Sequence, residues 1–378
     1  MKINWKISFL LTVIFLFLLS CWNYRNRVFD WDMPGYIGCL YSLKFPQQPD
    51  KVRILTYRDI RKEAPEIQYQ DILGLQPADK ARQAFANNTK AFREQLPYYQ
   101  IKIGYTSAVL ILYELGFTSP QSVLLLSSIS YFVSGILFFF LMKIIFPKNA
   151  VLAAFLTAAV LLLPPMIHMA RIPTPDMFLF QFMLLFMLGL LKKVNQWAIF
   201  AILIMIVFAR PDYILFALTY LAVRIGLHYF NNGKLNGYFF LQGLVLVLFY
   251  MAIIRLCHYP GWKSLFYDSF IYRRPVISAQ SPDFSFHDYL DILFHRIIYF
   301  KRVSVMSLTL LILIFSCSKD LENRIFALLI FVNIYIKFLF FPHAAGMRFF
   351  FIFIIMLLVI FLNTVSHKYN GFRLRKIA

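Results

Sequence analysis

Apolar runs long enough to cross a lipid bilayer recur along most of this chain, and they constrain its fold more than any other feature. A membrane-spanning helix needs about 20 predominantly apolar residues, because the hydrocarbon core of a bilayer is about 30 Å thick. The chain is 60% hydrophobic, whereas an ordinary soluble domain is about half apolar. We therefore predict an all-α polytopic membrane protein that forms one integral membrane domain over residues 1–378.

The order of the runs predicts about ten transmembrane helices and a long first loop. The predicted segments are a first transmembrane helix at 7–22, an outer loop with juxtamembrane helices at 23–120, six further helices within 121–256, a second outer loop at 257–303, three C-terminal helices within 304–364 and a basic cytoplasmic tail at 365–378. The predicted helices after the first are 121–142, 150–167, 176–191, 196–209, 211–230, 238–256, 304–317, 324–341 and 346–364.

The short apolar run at 101–117 decides which side each later connection faces. Lysine and arginine accumulate on the cytoplasmic side of membrane proteins. If 101–117 lies flat at the outer surface as an amphipathic juxtamembrane segment, the basic connections fall on the cytoplasmic side together with both termini, and we predict this arrangement. This sorting also accounts for the net charge of +20, so we predict no nucleic-acid partner. The basic residues concerned are Lys143, Lys148, Lys192, Lys193, Arg224, Lys234, Lys319, Arg324, Lys368, Arg373, Arg375 and Lys376.

Two carboxylates, Asp30 and Asp32, follow the first predicted helix within the stretch V-F-D-W-D-M-P-G-Y-I. Ionisable groups at a bilayer edge cost desolvation free energy unless they are solvated, paired or used, so they are candidates for a functional site. An aspartate before Met-Pro also suits the start of a helix, which it would cap. We interpret Asp30 as such a structural residue and Asp32 as the functional one.

Three later helix junctions on the same predicted side each place a proline beside a charged residue. Arg171 and Asp176 belong to the first junction, Arg210 and Asp212 to the second, and Arg348 to the third. Stabilisation by a helix dipole is the structural alternative for Asp176, and an interfacial anchor is the alternative for Arg348. The repeated pattern favours one shared outer cavity that contains carboxylates and guanidinium groups.

Several common catalytic and metal motifs are missing from the sequence. It contains no Gly-rich phosphate loop, no HExxH, no GxSxG and no Cys/His metal spacing, so nucleotide hydrolysis, zinc proteolysis and a serine-hydrolase elbow have no support. The cysteines are too scattered for a metal pair or a disulfide framework, and we interpret them as small apolar side chains. They are Cys21, Cys39, Cys257 and Cys317.

These segments resemble the GT-C superfamily of integral membrane glycosyltransferases, particularly the branch with protein O-mannosyltransferases and lipid A aminoarabinose transferases. Asp32, with Tyr36 four residues later, is similar to the Asp-x-x-x-Tyr of the family's first loop. The stretch L-P-Y-Y-Q-I-K at 96–102 resembles a degenerate Lys-Pro-Pro-Leu-Tyr segment. Residues 171–176, R-I-P-T-P-D, resemble the family's Arg-x-x-x-x-Asp.

The resemblance covers roughly residues 7–215, and Arg348 matches a C-terminal arginine of the family more loosely. The chain departs from the family pattern in two places. The usual Asp-Glu pair is Asp-Met here, and the Lys-Pro-Pro segment lacks its first proline. These departures bear on the substrate and on any metal rather than on the fold.

The resemblance implies a GT-C-like helical bundle that moves a sugar from a polyprenyl-phosphate donor to a glycan, lipid or protein acceptor. Transfer would occur at the outer, periplasmic face of the inner membrane, by one inverting displacement with an aspartate base and cations that stabilise the departing phosphate. A divalent metal is left open as a cofactor, with no ligands assigned. The expected site comprises Asp32 and Asp176 as catalytic residues, Arg210, Arg348 and Arg171 as donor-phosphate ligands, and Asp30, Tyr36, Tyr99, Lys102 and Asp212 as supporting residues.

Two other classes of protein remain as alternatives. A transporter or flippase for lipid-linked sugars also has polar groups in a helical bundle, but it would more naturally place its charges near the bilayer midplane. An enzyme like an O-antigen polymerase or ligase would use outer arginine and histidine residues. The second outer loop carries such residues, although an amphipathic interfacial helix at 286–300 explains several of them. They are Arg273, Arg274, His287, His295 and Arg296.

Overall fold

The computed structural model describes residues 4–343 and 347–369, and within these ranges the chain is helical without any β-strand. Seven of its helices are long and apolar enough to cross a membrane, or eight if one bent pair counts as a single span. The protein is therefore a helical polytopic membrane protein. The count of ten crossings stays a prediction, because two further apolar helices are shorter than a usual span.

The N-terminal third consists of one long apolar helix and a folded first loop. Helix α1 (Trp5–Arg25) is apolar along its 21 residues, and the side chain of Asn4 caps its first turn. The loop folds because its helices share a buried apolar cluster of their own, separate from the cluster between the long helices. The loop helices are α2 (Met33–Lys44), α3 (Pro49–Glu63), α4 (Glu66–Ile72), α5 (Lys80–Asn87), α6 (Thr89–Gln95), α7 (Pro97–Gln100) and α8 (Ile103–Glu114).

Helix α8 runs alongside α2, with its start beside the first turn of α2 and its end beside the last turn. Lys102, just before α8, donates to the Tyr36 hydroxyl, and Glu114 at the end of α8 pairs with Lys44 at 2.8 Å. The 12 residues of α8 rise about 18 Å, which is well short of a bilayer core. The prediction of an amphipathic segment is wrong in one respect, because the exposed side of α8 carries apolar residues such as Ile111.

The middle of the chain forms the centre of the bundle. One predicted helix, 150–167, is broken into α10 (Ala150–Leu161) and α11 (Pro164–Arg171), which meet at an angle of 63°. The break occurs because the consecutive prolines Pro164 and Pro165 cannot continue a helix from the preceding turn. A 3₁₀ turn, Pro211–Tyr213, precedes α14. The helices are α9 (Ser119–Ile145), α10 (Ala150–Leu161), α11 (Pro164–Arg171), α12 (Asp176–Leu191), α13 (Gln196–Ala209), α14 (Ile214–Asn232) and α15 (Gly237–Leu256).

The C-terminal part contains a second loop region and three long apolar helices. The predicted loop 257–303 is partly helical, and α17 continues through a 3₁₀ turn into α18. The predicted tail at 365–378 begins too early, because α20 runs to Lys368. Residues 370–378, with Arg373, Arg375 and Lys376, lie outside the described residues. The predicted helix start at 346 also lies outside them. The helices are α16 (Trp262–Phe270), α17 (Phe286–Ile297), α18 (Lys301–Cys317), α19 (Leu321–Phe340) and α20 (Arg348–Lys368).

The second loop is fastened to the first by a buried ion pair. Arg274, which is 2% exposed, donates to both carboxylate oxygens of Asp268 at 2.6 and 2.8 Å. The Tyr98 hydroxyl of the first loop donates to the same carboxylate at 2.6 Å. Because a buried charge is costly without a partner, this three-residue contact holds the two loops together. We name it the loop clamp.

The start of α1 and the end of α20 lie at the same end of the bundle. The Trp5 indole N–H donates to the carbonyl of Pro147, and the Ser366 hydroxyl donates to the carbonyl of Ile145. Both acceptors follow or end α9, so this end also contains the connection that carries Lys148. The two described ends of the chain are therefore together, at the end opposite to the groups described next.

Candidate functional site

Six charged residues meet at the other end of the bundle, where the ends of five long helices and a loop converge. Each residue lies at or next to a helix end, so the alternating direction of the helices brings them to one place. They are Asp32 after α1, Asp176 at the start of α12, Arg210 after α13, Asp212 before α14, Lys337 in the last turn of α19 and Arg348 at the start of α20.

Arg348 connects two carboxylates that are far apart in sequence. Its Nη2 lies 3.2 Å from Oδ2 of Asp32, and its Nε lies 3.9 Å from Oδ2 of Asp176. Asp176 also accepts a hydrogen bond from Nη1 of Arg210. The two residues that we predict to be catalytic are therefore held through the same guanidinium group.

Asp212 extends this contact on the other side of Arg210. The guanidinium of Arg210 donates to both carboxylate oxygens of Asp212, at 3.0 and 3.1 Å, and Lys337 Nζ lies 3.2 Å from Oδ2. The exposed fraction of the Asp176 side chain is 3%, while that of Asp212 is 44%, so the network runs from the interior to the surface. We name these six residues the ion-pair chain.

Charges of opposite sign alternate along the ion-pair chain, with three carboxylates and three cations. Removing one partner of a buried ion pair leaves an uncompensated charge and costs about 3–5 kcal/mol, so each member depends on its neighbours. Sequence reasoning missed Lys337. The available signal was a lysine near the end of an otherwise apolar helix, where an ionisable side chain is a candidate functional group.

Asp32 occupies the residue before α2, but its side chain does not cap that helix. Its Oδ1 instead accepts a hydrogen bond from the Tyr99 hydroxyl at 3.3 Å. Tyr99 can approach because Gly35 lies beneath its ring, where a Cβ atom would come within 2.5 Å of the ring carbons. The predicted supporting residue Tyr99 thus contacts the predicted base directly.

The predicted supporting residues Tyr36 and Lys102 form a second contact beside Asp32. Lys102 Nζ donates to the Tyr36 hydroxyl at 2.9 Å and lies 5.1 Å from the ring centroids of both Tyr36 and Tyr99. Burial, and then the positive charge of Arg210, lower the pKa of Lys102 to about 8. This amine therefore holds its proton less tightly than an exposed lysine.

Asp30 differs from the structural residue that we predicted. Its Oδ1 is buried and has no hydrogen-bond partner among the described residues. Burial, and then the nearby carboxylate of Asp32, raise the pKa of Asp30 to about 6. The backbone N–H groups of Trp31 and Asp32 oppose this shift, so the capping interpretation accounts for only part of its surroundings.

Arg171 lies outside the ion-pair chain, although we predicted it as a phosphate ligand. Its Nε donates to Oδ1 of Asn23 at 3.0 Å, and its guanidinium stacks on the ring of Trp22 at 4.2 Å. Its backbone carbonyl accepts from Val28. Arg171 therefore fastens the end of α11 to the end of α1, which positions the two segments that carry Asp32 and Asp176.

The described residues do not fit a metal site. Within 4–343 and 347–369, no group of three or more His, Cys, Asp or Glu side chains is placed to hold an ion. Asp32 and Asp176 each contact a guanidinium group, which occupies the oxygens that a cation would need. We derive no step through a metal.

The comparisons with known proteins supply no relative. No protein-family model matches the chain, and no curated protein or solved structure is significantly similar to it. The function is therefore argued from the site alone.

Proposed function

We propose that this protein is a membrane glycosyltransferase that moves a sugar from a polyprenyl-phosphate donor to an acceptor at the end of the bundle where the ion-pair chain lies. The observation that carries the proposal is Arg348 between Asp32 and Asp176, because a cation for the donor phosphate and a candidate base meet at the end of apolar helices. A lipid tail can lie between such helices while its phosphate reaches the charged groups. The end of the bundle concerned faces the periplasm or exterior in this proposal.

Arg348 is the best candidate for the donor-phosphate ligand. Arginine binds phosphate with two parallel charge-assisted hydrogen bonds, which lysine cannot reproduce. Arg348 contacts Asp32 and Asp176 through one nitrogen each, at 3.2 and 3.9 Å, whereas Arg210 donates to Asp176 and to both carboxylate oxygens of Asp212. Arg210 is therefore the more fully engaged of the two, and it would mainly hold Asp176 and Asp212 in place. Lys337 adds positive charge at the exposed end of the chain.

Asp32 is the proposed base, and donor binding would free its carboxylate from the contact with Arg348. Donor phosphate and Asp32 compete for the same guanidinium, so a phosphate that binds Arg348 leaves Oδ2 of Asp32 free. That oxygen then takes the proton of the acceptor hydroxyl, whose oxygen forms a bond to the anomeric carbon. The bond between this carbon and the phosphate oxygen breaks, and its electrons leave with the phosphate, in one displacement that inverts the sugar.

The rival classes fit the geometry less well. A transporter would bind its cargo near the middle of its helices, whereas the ion-pair chain lies at their ends. An O-antigen ligase-like site would need free basic groups in the second loop. Arg274 is engaged in the loop clamp, Arg273 lies 3.5 Å from Asp79 and His287 lies 3.4 Å from Asp291, so three of the five basic residues named for that loop contact carboxylates.

The test uses purified protein and a panel of radiolabelled polyprenyl-phosphate sugars. We expect the unmodified protein to bind at least one donor, and Arg348→Ala to weaken that binding about tenfold or more, because hydrogen bonds to charged groups contribute about 1.5–3 kcal/mol. Arg348→Lys should restore binding only in part. Asp32→Asn should keep donor binding but slow transfer by about 10²-fold to 10⁴-fold.

Arg61→Ala is the matched control, because Arg61 is an exposed arginine of α3 whose nearest carboxylate is 3.6 Å away. It should change neither binding nor transfer. Arg348→Ala is preferable to Arg210→Ala, because Asp176 still has Arg210 when Arg348 is removed. Normal donor affinity in Arg348→Ala would contradict the phosphate assignment, and normal transfer in Asp32→Asn would show that Asp32 is not the base. Donor binding without any transfer by the unmodified protein would favour the transporter class.

A further inference from the structure

A cavity of about 420 Å³ lies in the first loop, away from the ion-pair chain. The end of α3, the third turn of α2 and the connection between α8 and α9 form its walls. The residues that matter for its chemistry are Tyr41, Asp59, Glu63, Tyr113, Phe117 and Ser119. We name it the loop cavity.

The charges around the loop cavity cancel. Arg58 and Lys62 contribute two positive charges, and Asp59 and Glu63 contribute two negative charges. Both basic residues lie within 3.4 Å of the Asp59 carboxylate, which leaves no cation free of a carboxylate to attract an anion. Glu63 is not paired with either basic residue, but the four charges together sum to zero. The lining therefore favours a ligand without net charge.

The lining is nonetheless rich in hydrogen-bonding groups. The Tyr41 hydroxyl donates to Asp59 and lies 3.1 Å from the Ser119 hydroxyl. Glu63 accepts from the Thr118 hydroxyl through Oε1, while its Oε2 is buried without a partner among the described residues. A buried carboxylate oxygen without a hydrogen bond is costly, so a ligand hydroxyl that displaced the atoms covering Oε2 would remove that cost.

Aromatic side chains complete the wall. Tyr113 packs edge to face against Tyr41 with ring centroids 6.0 Å apart, and Phe117 is 40% exposed. Ligand pockets commonly combine such aromatic surface with a few polar groups that fix orientation. A neutral molecule with many hydroxyl groups and apolar C–H faces, which is the chemistry of a sugar, matches this combination.

We infer that the loop cavity binds a neutral oligosaccharide, and that this glycan is the acceptor. The second step rests on the proposed function, whereas the first does not. Helix α2 connects the two places, because Asp32 precedes its first residue and Tyr41 follows nine residues later, a rise of about 14 Å. The loop cavity and Asp32 are therefore separated by a distance that an extended oligosaccharide of a few sugar units can cover.

The experiment is a binding screen of the full-length protein in detergent against an array of neutral, anionic and cationic oligosaccharides. The strongest neutral ligand is then titrated against variants. Glu63→Gln replaces the unpartnered oxygen, and Phe117→Ala removes exposed aromatic surface. Each should weaken binding about tenfold, as expected for a lost hydrogen bond to a charged group or a lost aromatic contact.

Two matched controls lie outside the loop cavity. Glu66→Gln changes an exposed glutamate at the start of α4, and Leu115→Ala truncates a side chain that is 71% exposed. Both should leave affinity unchanged. Since Phe117 is exposed, its replacement leaves the fold intact even if Glu63→Gln does not. The proposal is overturned if no neutral glycan binds, if only charged glycans bind, or if both cavity variants bind normally.

Failure of the transferase proposal gives a different result. If glycan binding depends on the loop cavity but no donor sugar is transferred, the binding site stands and the transferase does not. If transfer occurs with an acceptor KM that neither cavity variant changes, the transferase stands and the acceptor site lies elsewhere. Asp32→Asn should retain glycan binding in every case that supports the inference.

Discussion

Asp30 and Asp32 are two residues apart, yet their surroundings differ sharply. Asp32 contacts Arg348 and Tyr99, whereas Oδ1 of Asp30 is buried without a partner among the described residues. A carboxylate that is buried without compensation binds its proton more tightly. The pKa of about 6 for Asp30 thus follows from this burial and from the nearby carboxylate of Asp32.

Replacing Asp30 should stabilise the protein in a way that depends on pH. The folded pKa is raised from 3.8 to about 6, so the folded state binds this proton more tightly than the unfolded chain, and stability falls as the pH rises through this window. Above it, the ionised carboxylate carries its full cost. Asp30→Asn should raise the unfolding temperature at about pH 8 and give no gain at about pH 3.5, which thermal unfolding in detergent measures. Asp291→Asn, at a carboxylate whose side chain is 64% exposed, should show no such dependence, and an equal gain at both pH values for Asp30→Asn would contradict the assignment.

Most residues of the ion-pair chain could be found from sequence because each stands beside a proline or a loop at a helix junction. Asp176, Arg210, Asp212 and Arg348 all belong to this class, and their contacts agree with the expected clustering. Lys337 could not be found in the same way, because it lies in the last turn of a largely apolar helix and resembles an interfacial anchor. The charged groups pair directly with one another, whereas we expected an open cavity between them. Such pairing depends on distances between side chains, which the spacing of residues along the chain does not reveal.

At the scale of elements, the approach of α7 to α2 decides where Tyr99 lies. Gly35 has no side chain, and this allows the ring of Tyr99 to rest against the backbone of α2 and reach Asp32. A side chain at this position would push the ring away. The contact between two short helices thus controls the geometry of a predicted catalytic residue.

Gly35→Ala should therefore destabilise the protein and impair transfer together. The added Cβ would lie 2.5 Å from the Tyr99 ring, and overpacking of this kind costs about 1–3 kcal/mol. Gly226→Ala is the control, since nothing lies within 4 Å of a Cβ in that helical position, and alanine there should be neutral or stabilising by up to about 1 kcal/mol. Unfolding free energies of the two variants give the measurement, and equal effects would refute the close contact.

The loop clamp predicts that one of two neighbouring arginines matters far more than the other. Arg274→Ala leaves Asp268 buried without its charged partner and should cost about 3–5 kcal/mol of unfolding free energy. Arg273→Ala removes a partly exposed arginine 3.5 Å from Asp79 that also stacks on Trp31, and it should cost about 1 kcal/mol. Chemical unfolding of both variants tests this, and a loss for Arg274→Ala no larger than that for Arg273→Ala would contradict the prediction.

The elements themselves could be predicted to within a few residues where apolar runs are long, as for α1, α12 and α13. The break between α10 and α11 was visible as Pro164-Pro165, but the apolar run continues across it, and hydropathy alone does not detect the bend. The folded first loop was harder to predict. Its core consists of scattered aromatic and aliphatic residues on seven short helices, whose mutual packing no local pattern specifies.

At the scale of the whole molecule, the two ends of the bundle have different chemistry. One end contains the ion-pair chain and both loops, and the other contains the start of α1, the end of α9 and the end of α20. Lys148 and Lys368 lie at this second end, together with the pair formed by Arg224 and Glu322. Basic connections at one end are what the positive-inside rule expects of a cytoplasmic face.

Cysteine labelling should place the two ends on opposite sides of the membrane. In a chain whose native cysteines are replaced by serine, a cysteine at Lys148 should react with a membrane-impermeant maleimide only after the cells are opened. A cysteine at Ile67, which is 83% exposed in α4, should react in intact cells with a permeabilised outer membrane. A permeant maleimide should label both. The reverse pattern would invert the orientation, and labelling of both from one side would refute the bundle topology.

Helices α12 and α13, which hold Asp176 and Arg210 at their ends, are shorter than the seven apolar helices that are long enough to cross a membrane. Their 16 and 14 residues rise about 24 and 21 Å, several ångströms less than the hydrocarbon thickness of about 30 Å. Such a hydrophobic mismatch is relieved when the surrounding lipids compress or when the polar ends sink below the headgroup plane. If α12 and α13 cross the membrane, either response would lower the local membrane surface toward the charged groups, so that the phosphate of the proposed lipid-linked donor would meet them without leaving its own leaflet.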